Sequence, residues 1–274
     1  MVATTSPGEA TPTPSPAVRI RDVVRTFRTR GESVHALGPV SLTVARGEFV
    51  ALLGPSGCGK STLLNIVAGL LPVTSGSVEV HGTGVAGVPD SVGMMFQKAV
   101  LLPWRTVREN VLLPLELAGG KKTARDGTPL ADELLAMVGL SDFADRLPTE
   151  LSGGMQQRAA TCRMLIDSPE LLLLDEPFGA LDEFTRERMN LELLRITRKL
   201  TSTSLFVTHS ITEAVFLADR VVVMSARPGR ISGVVDIALP TDRDPEITTS
   251  PEFQSHVRHA RDLLRDGDAE KGRS

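Results

Sequence analysis

The order of apolar and polar positions divides the chain into short apolar strands and amphipathic helices. Val18–Val24 and Val40–Val44 alternate as half-buried strands do, and Ala45-Arg46-Gly47-Glu48 turns into the unbroken apolar run Phe49–Leu53. An uninterrupted run of that length suits a strand covered on both faces. From Ser61 to Leu70 the apolar spacing becomes helical, and Pro72 with Gly76 ends it. Val78–His81 and Val92–Phe96 read as two further strands.

Between Gln97 and about Leu165 the character changes. Apolar residues recur at helical spacing in Leu130–Val138 and Met155–Ile166, with loops expected at Gly119-Gly120-Lys121-Lys122, Gly127 and Pro129. This stretch, about 98–165, reads as a helical lobe inserted between strands of the main sheet. Strand character returns at Leu171–Leu174, Leu205–Thr208 and Val221–Met224, with helices Glu183–Leu200 and Ile211–Leu217 between them. Strands alternating with helices predict an α/β fold with a largely parallel, covered sheet. From Leu239 the chain is charged and proline-interrupted, with an amphipathic helix around Phe253–Leu264, read as solvated. The expected domain spans 18–238, preceded by a disordered tail, 1–17, and followed by a charged extension, 239–274.

Composition narrows the classes. The 274 residues are 41% hydrophobic with a formal charge of −3, so no global basicity points to nucleic acid or an anionic membrane. Cys58 and Cys162 form neither a metal-ligand spacing nor a disulfide framework, and a cytosolic chain is expected. The longest uncharged stretch, Ser61–Val78, is broken by Asn65, Gly69, Pro72 and Gly76 and makes no clean membrane span. The Thr/Ser/Pro-rich start has no basic n-region or apolar core, unlike a signal peptide. Work at a membrane would need partners that bring the protein there.

The candidate chemistry lies at the carboxyl ends of the apolar runs. Gly54-Pro55-Ser56-Gly57-Cys58-Gly59-Lys60-Ser61-Thr62 directly follows Phe49–Leu53 and has the G-x-x-x-x-G-K-[ST] pattern of a phosphate-binding loop. Its glycines permit a turn whose N–H groups point at an anion, and the helix that follows adds its positive end. Lys60 would reach the β- and γ-phosphates, and the Ser61 hydroxyl would ligate Mg²⁺. Cys58 reads as a small filler in that loop. Leu171-Leu172-Leu173-Leu174-Asp175-Glu176-Pro177 is a central strand ending in two carboxylates, where open α/β sheets bind ligands. Asp175 suits the Mg²⁺ shell opposite Ser61, and Glu176 is placed to orient or deprotonate a water.

Leu151-Ser152-Gly153-Gly154-Met155-Gln156-Gln157-Arg158 opens a helix with exposed N–H donors, a second anion-binding helix start. This segment resembles the signature motif of the ATP-binding cassette (ABC) ATPases. Gln97 matches that family's Q-loop, Ala180-Leu181-Asp182 its D-loop, and His209 its switch histidine; Phe27 occupies the place of the aromatic that stacks on adenine. The resemblance covers about Val18 to Val235. It implies a P-loop NTPase fold with a RecA-like core, a small antiparallel β-subdomain and an inserted helical subdomain.

It also implies two copies sandwiching two ATP molecules. Lys60, Ser61, Gln97, Asp175, Glu176 and His209 of one copy would meet Leu151, Ser152, Gly153, Gly154 and Gln156 of the other. Phe96–Asn110, Asp175–Asp182 and Val223–Arg230 are similar to the ATPase subunits of nitrate, sulfonate and taurine importers. This narrower resemblance implies a peripheral subunit on the cytoplasmic membrane face, energising uptake through permease subunits and, indirectly, a solute-binding protein. Ser210 departs from the usual Asp, and Thr161-Cys162-Arg163-Met164 from the usual Ala-Arg-Ala. Trp104, the single tryptophan, lies in the apolar patch Leu101–Trp104, either local core or a groove for a permease helix. Two other roles stay open: a soluble ABC ATPase that remodels a macromolecule, and an exporter cassette.

Overall fold

The computed structural model describes residues 15–29, 31–89 and 91–269. Most of the expected tail, 1–14, lies outside them. Strands β1 (Val18–Thr29) and β2 (Glu32–Val44) form one long antiparallel hairpin, beyond the two short alternating segments expected. Then come β3 (Phe49–Leu53), α1 (Lys60–Val67), β4 (Ser75–Val80), β5 (Thr83–Gly84) and β6 (Val92–Met95). The helical lobe contains α2 (Val107–Val111), α3 (Leu113–Asp126), α4 (Thr128–Met137) and α5 (Gly153–Leu165). The core resumes with β7 (Leu171–Asp175), α6 (Glu183–Leu200), β8 (Thr203–Thr208), α7 (Ile211–Leu217), β9 (Arg220–Met224), β10 (Ile231–Asp236) and α8 (Pro251–Ala269).

The main sheet runs β10-β9-β3-β8-β7-β6, parallel except for the edge strand β10, and a second, antiparallel sheet runs β2-β1-β4-β5. Alternation in the central strands sends neighbours to opposite layers. Val50, Leu52, Leu171 and Leu173 join the core under the hairpin and α1, whereas Phe49, Ala51, Leu172 and Leu174 join the core under the helices. Both faces are covered, which is why these strands read as continuous apolar runs.

Two expectations change. The glycines at 119–120 do not open a loop: helical structure runs on from Leu113 to Asp126, kinked where Gly120 adopts a φ of 76°. The C-terminal helix is not merely solvated either. Phe253, Val257 and Ala260 are buried in the core under α7, β9 and β10. Among the described residues, no helix is long and apolar enough to cross a membrane.

Candidate active site

The phosphate loop joins β3 to α1. Gly59 closes it at a φ of 105°, and a Cβ there would lie 2.6 Å from Leu37 Cδ2 and 2.9 Å from the Ala36 carbonyl. Only glycine fits both the dihedral and the space. Among the described residues no side chain caps the first turn of α1, so its N–H groups are left for a ligand. Lys60 is 4% exposed, and its Nζ donates to the Gly54 carbonyl (2.7 Å) and the Pro55 carbonyl (3.0 Å). Ser56, Gly57, Gly59, Lys60, Ser61 and Thr62 line a cleft of about 350 Å³, and Phe27, Gln97 and Glu176 complete its far walls. Cys58 is buried behind the loop, as a filler would be.

Strand register brings the remaining polar groups together. Met95 of β6 pairs with Leu174 of β7, and Asp175 pairs with Val207 of β8, so residues just beyond those pairs emerge side by side. Gln97 Nε2 donates to Glu176 Oε2 (3.4 Å), and His209 Nδ1 lies 3.2 Å from the same oxygen. The Glu176 backbone sits at a φ of 44°, a region costly for a residue with a side chain, which turns the carboxylate out of the strand into the cleft.

Ser61 Oγ donates to Asp175 Oδ1 at 2.8 Å. Burial pushes the Asp175 carboxyl above its ordinary range and the nearby Glu176 charge adds to this, while the Ser61 hydroxyl and Lys60 oppose it. A hydroxyl, a carboxylate and the Gln97 amide oxygen make an all-oxygen donor set. That chemistry fits Mg²⁺, and a cation would relieve the cost of the buried charge.

The signature residues lie elsewhere in the same chain. Ser152 caps α5 by accepting from Met155 N–H, and Gly153 is exposed. Gln156 folds back onto the Pro148 carbonyl (2.9 Å), and Leu151 is buried. Asp182 caps α6, and its hydrogen bond from Thr185 N–H holds its carboxyl below the ordinary range. Leu151, Ser152, Gly153, Gly154, Gln156 and Asp182 line no part of the cleft.

Both sequence departures have local roles. Ser210 caps α7, accepting from Glu213 N–H, so it does what an Asp there would do. Thr161 donates to the Gln157 carbonyl at 3.1 Å, while Gln157 Nε2 reaches the carbonyl of Phe96, the residue before Gln97, at 3.5 Å. Two residues passed over in the sequence also matter. Gln157 ties α5 to the Gln97 segment, and Arg227 donates from Nε to the Gly57 carbonyl at 2.7 Å while lining the cleft. The signal for Arg227 lies in the segment Val223–Arg230, similar to the importer ATPase subunits, but nothing local places that segment against the loop.

A phosphate loop at the end of a central parallel strand, with a strand-end carboxylate hydrogen-bonded to its serine, defines a P-loop nucleoside triphosphatase. The family profile described as ABC transporter matches residues 37–179. An ABC transporter ATP-binding protein of Methanocaldococcus jannaschii is 46% identical over 91% of this chain and 91% of its own length. A taurine import ATP-binding protein of Rhizobium johnstonii is 45% identical (85% and 90%), and a nitrate import ATP-binding protein of Synechocystis 44% (93% and 97%). Among solved structures, a dimeric ATP-binding cassette in a post-hydrolysis state with ADP and phosphate superposes with a TM-score of 0.72. It is 32% identical, over 81% of this chain and all of that one. The chain belongs to the ABC transporter family and is an ATP-hydrolysing cassette.

Proposed function

We propose that this chain is the ATPase subunit of an importer, working as a head-to-tail pair on the cytoplasmic face of a membrane and energising uptake of a small anionic solute of the nitrate, sulfonate or taurine kind. One observation carries the pairing. Lys60, Ser61, Gln97 and Glu176 line one cleft, with Asp175 bonded to Ser61 and His209 to Glu176, while Ser152 and Gly153 stand exposed at the start of α5, available to another copy's nucleotide. The names of the relatives and the dimeric neighbour support the same reading.

In this reading the adenine stacks on Phe27, and the phosphate chain lies over the Gly54–Thr62 loop. The γ-phosphate draws Lys60 Nζ away from the loop carbonyls. Ser61 and Asp175, with Gln97, would hold Mg²⁺, which would supply positive charge to offset that of the phosphates. Gln97 and His209 both engage Glu176 Oε2 and so orient the carboxylate, which accepts a proton from the attacking water. A site completed only on closure makes hydrolysis conditional on the pair's conformation and can bias a permease between two states.

The docking face is Trp104. The side chain of Asn110 accepts from Leu102 N–H (2.7 Å) and donates to the carbonyls of Leu102, Arg105 and Thr106, which fixes the loop that carries Trp104. Trp104 is 73% exposed on that held loop, with exposed Val100 nearby in sequence. A rigid, exposed apolar loop just after Gln97 suits a short permease helix, with a solute-binding protein acting beyond it.

The test is a pull-down of tagged Glu176→Gln protein from native membranes with ATP and Mg²⁺. Co-purification of a multi-span permease supports the reading. Recovery of soluble partners alone would replace it with a macromolecule-remodelling ABC ATPase, and a permease that moves solute outward would replace import with export.

A further inference from the structure

The loop after β9 is fastened to the phosphate loop at several points. Gly229 N–H donates to the Ala36 carbonyl and Gly38 N–H to the Gly229 carbonyl, both at 3.0 Å, stitching the loop to β2. Ser225 N–H donates to the Arg230 carbonyl (2.9 Å), and Arg230 N–H donates to Ser225 Oγ (3.2 Å), closing the loop on itself. A Cβ on Gly229 would lie 1.9 Å from the Cys58 carbonyl, so the two backbones pack as closely as glycine allows. At the head of this braced loop, Arg227 Nε donates to the Gly57 carbonyl at 2.7 Å, and the residue stands in the cleft wall.

Among the described residues lining the cleft, Arg227 and Lys60 are the cations. Phe27, Val34 and Ala36 enter the cleft from the β1–β2 hairpin, and Gln97 and Glu176 from the ends of β6 and β7. Arg227 enters beside Gly57 of the phosphate loop, from a loop bonded to Ala36 of the hairpin wall. With its Nε occupied by Gly57, the planar fork is held in one orientation while its Nη nitrogens retain donors for an anion.

We infer that Arg227 is a nucleotide-contacting residue whose Nη groups take the α-phosphate, the phosphate nearest the base, since Arg227 is bonded to the phosphate loop and its own loop to the hairpin that carries Phe27. This rests on the reading of the cleft as the ATP site. Arg227 supplies a second fixed cation besides Lys60. Because it meets the α-phosphate, it grips ATP and ADP alike, whereas Gln97 and Glu176 distinguish them.

The experiment is calorimetric titration of the full chain and its Arg227→Ala, Arg227→Lys and Lys60→Ala variants with ATP and with ADP. Circular dichroism melts check that each variant is folded. Loss of one charge-assisted contact at an exposed site predicts a dissociation constant about tenfold higher for Arg227→Ala, by the same factor for ATP and ADP. Arg227→Lys keeps the charge without the Nε bond and should recover most of that affinity.

Unchanged affinity in Arg227→Ala overturns the inference. A loss confined to ATP also overturns it by moving the contact to the γ end, and a lysine variant as weak as alanine reduces the residue to holding Gly57. Wild-type affinity in Lys60→Ala would instead show that the cleft itself has been misread. A weakened Lys60→Ala beside an unaffected Arg227→Ala removes the Arg227 contact alone.

Discussion

Replacing Glu176 by glutamine tests the chemistry with the least disturbance to the fold. The side chain keeps its shape, and the new amide oxygen can still accept from Gln97 Nε2 and from His209, which now meet Oε2 at 3.4 and 3.2 Å. The positive φ of 44° is no harder for glutamine than for glutamate. Stability should therefore stay within about 1 kcal/mol of the parent, the usual range for a substitution that opens no cavity and buries no new charge. What disappears is the proton acceptor.

A lost general base costs about 10²- to 10⁴-fold in rate, or about 2.7 to 5.4 kcal/mol of barrier at about 1.36 kcal/mol per decade. The assay is phosphate release at saturating Mg²⁺-ATP, paired with ATP titration by calorimetry. Retained binding with a rate at least a hundredfold lower is expected. A folded variant that keeps more than about a tenth of the parental rate would refute the assignment of Glu176 as the base.

Asp175→Asn should abolish Mg²⁺-dependent hydrolysis yet raise the melting temperature of the nucleotide-free protein at neutral pH. Burial holds this carboxyl above its ordinary range, so ionising it costs the folded state. The gain should shrink as pH falls through the carboxylate range, where the parent side chain becomes neutral in both states; a gain independent of pH would refute this. Phe253→Ala should destabilise by about 3–5 kcal/mol in denaturant unfolding, as expected for emptying a fully buried phenylalanine site. A loss below about 1 kcal/mol would mean that α8 is not part of the cooperative unit. Trp104→Ala should leave ATP hydrolysis by the isolated cassette intact and uncouple it from solute uptake in membrane vesicles, and normal uptake would refute the docking face.

Elements whose signals are local were legible from the sequence. The helices at Glu183–Leu200 and Ile211–Leu217 fall where expected because Asp182 and Ser210 cap them through their own side chains. The covered strands Phe49–Leu53 and Leu171–Asp175 announce themselves by continuous apolar runs. Elements that depend on distant partners are misread or missed. The glycine pair at 119–120 looks like a loop, yet Gly120 only kinks a helical stretch. The edge strand β10 has weak alternation, and it forms because β9 lies beside it and because Gly233 leaves room for Leu263 of α8. Phe253, Val257 and Ala260 mark one apolar face on α8, but periodicity alone does not say what covers it.

By itself the sequence determined the phosphate loop, the strand-end carboxylates, the cassette family they resemble and the order of the covered strands and of the helices Glu183–Leu200 and Ile211–Leu217 between them. Each of these is written in neighbouring residues, through spacing, capping and glycine placement. Tertiary structure alone decided which groups share a cleft. Gln97, Glu176 and His209 converge because β6, β7 and β8 lie side by side in parallel register, and Arg227 reaches Gly57 because β9 lies next to β3. The same geometry holds Ser152 and Gly153 away from that cleft. Strand order and register arise from non-local pairing and burial, and no local stretch of chain encodes them.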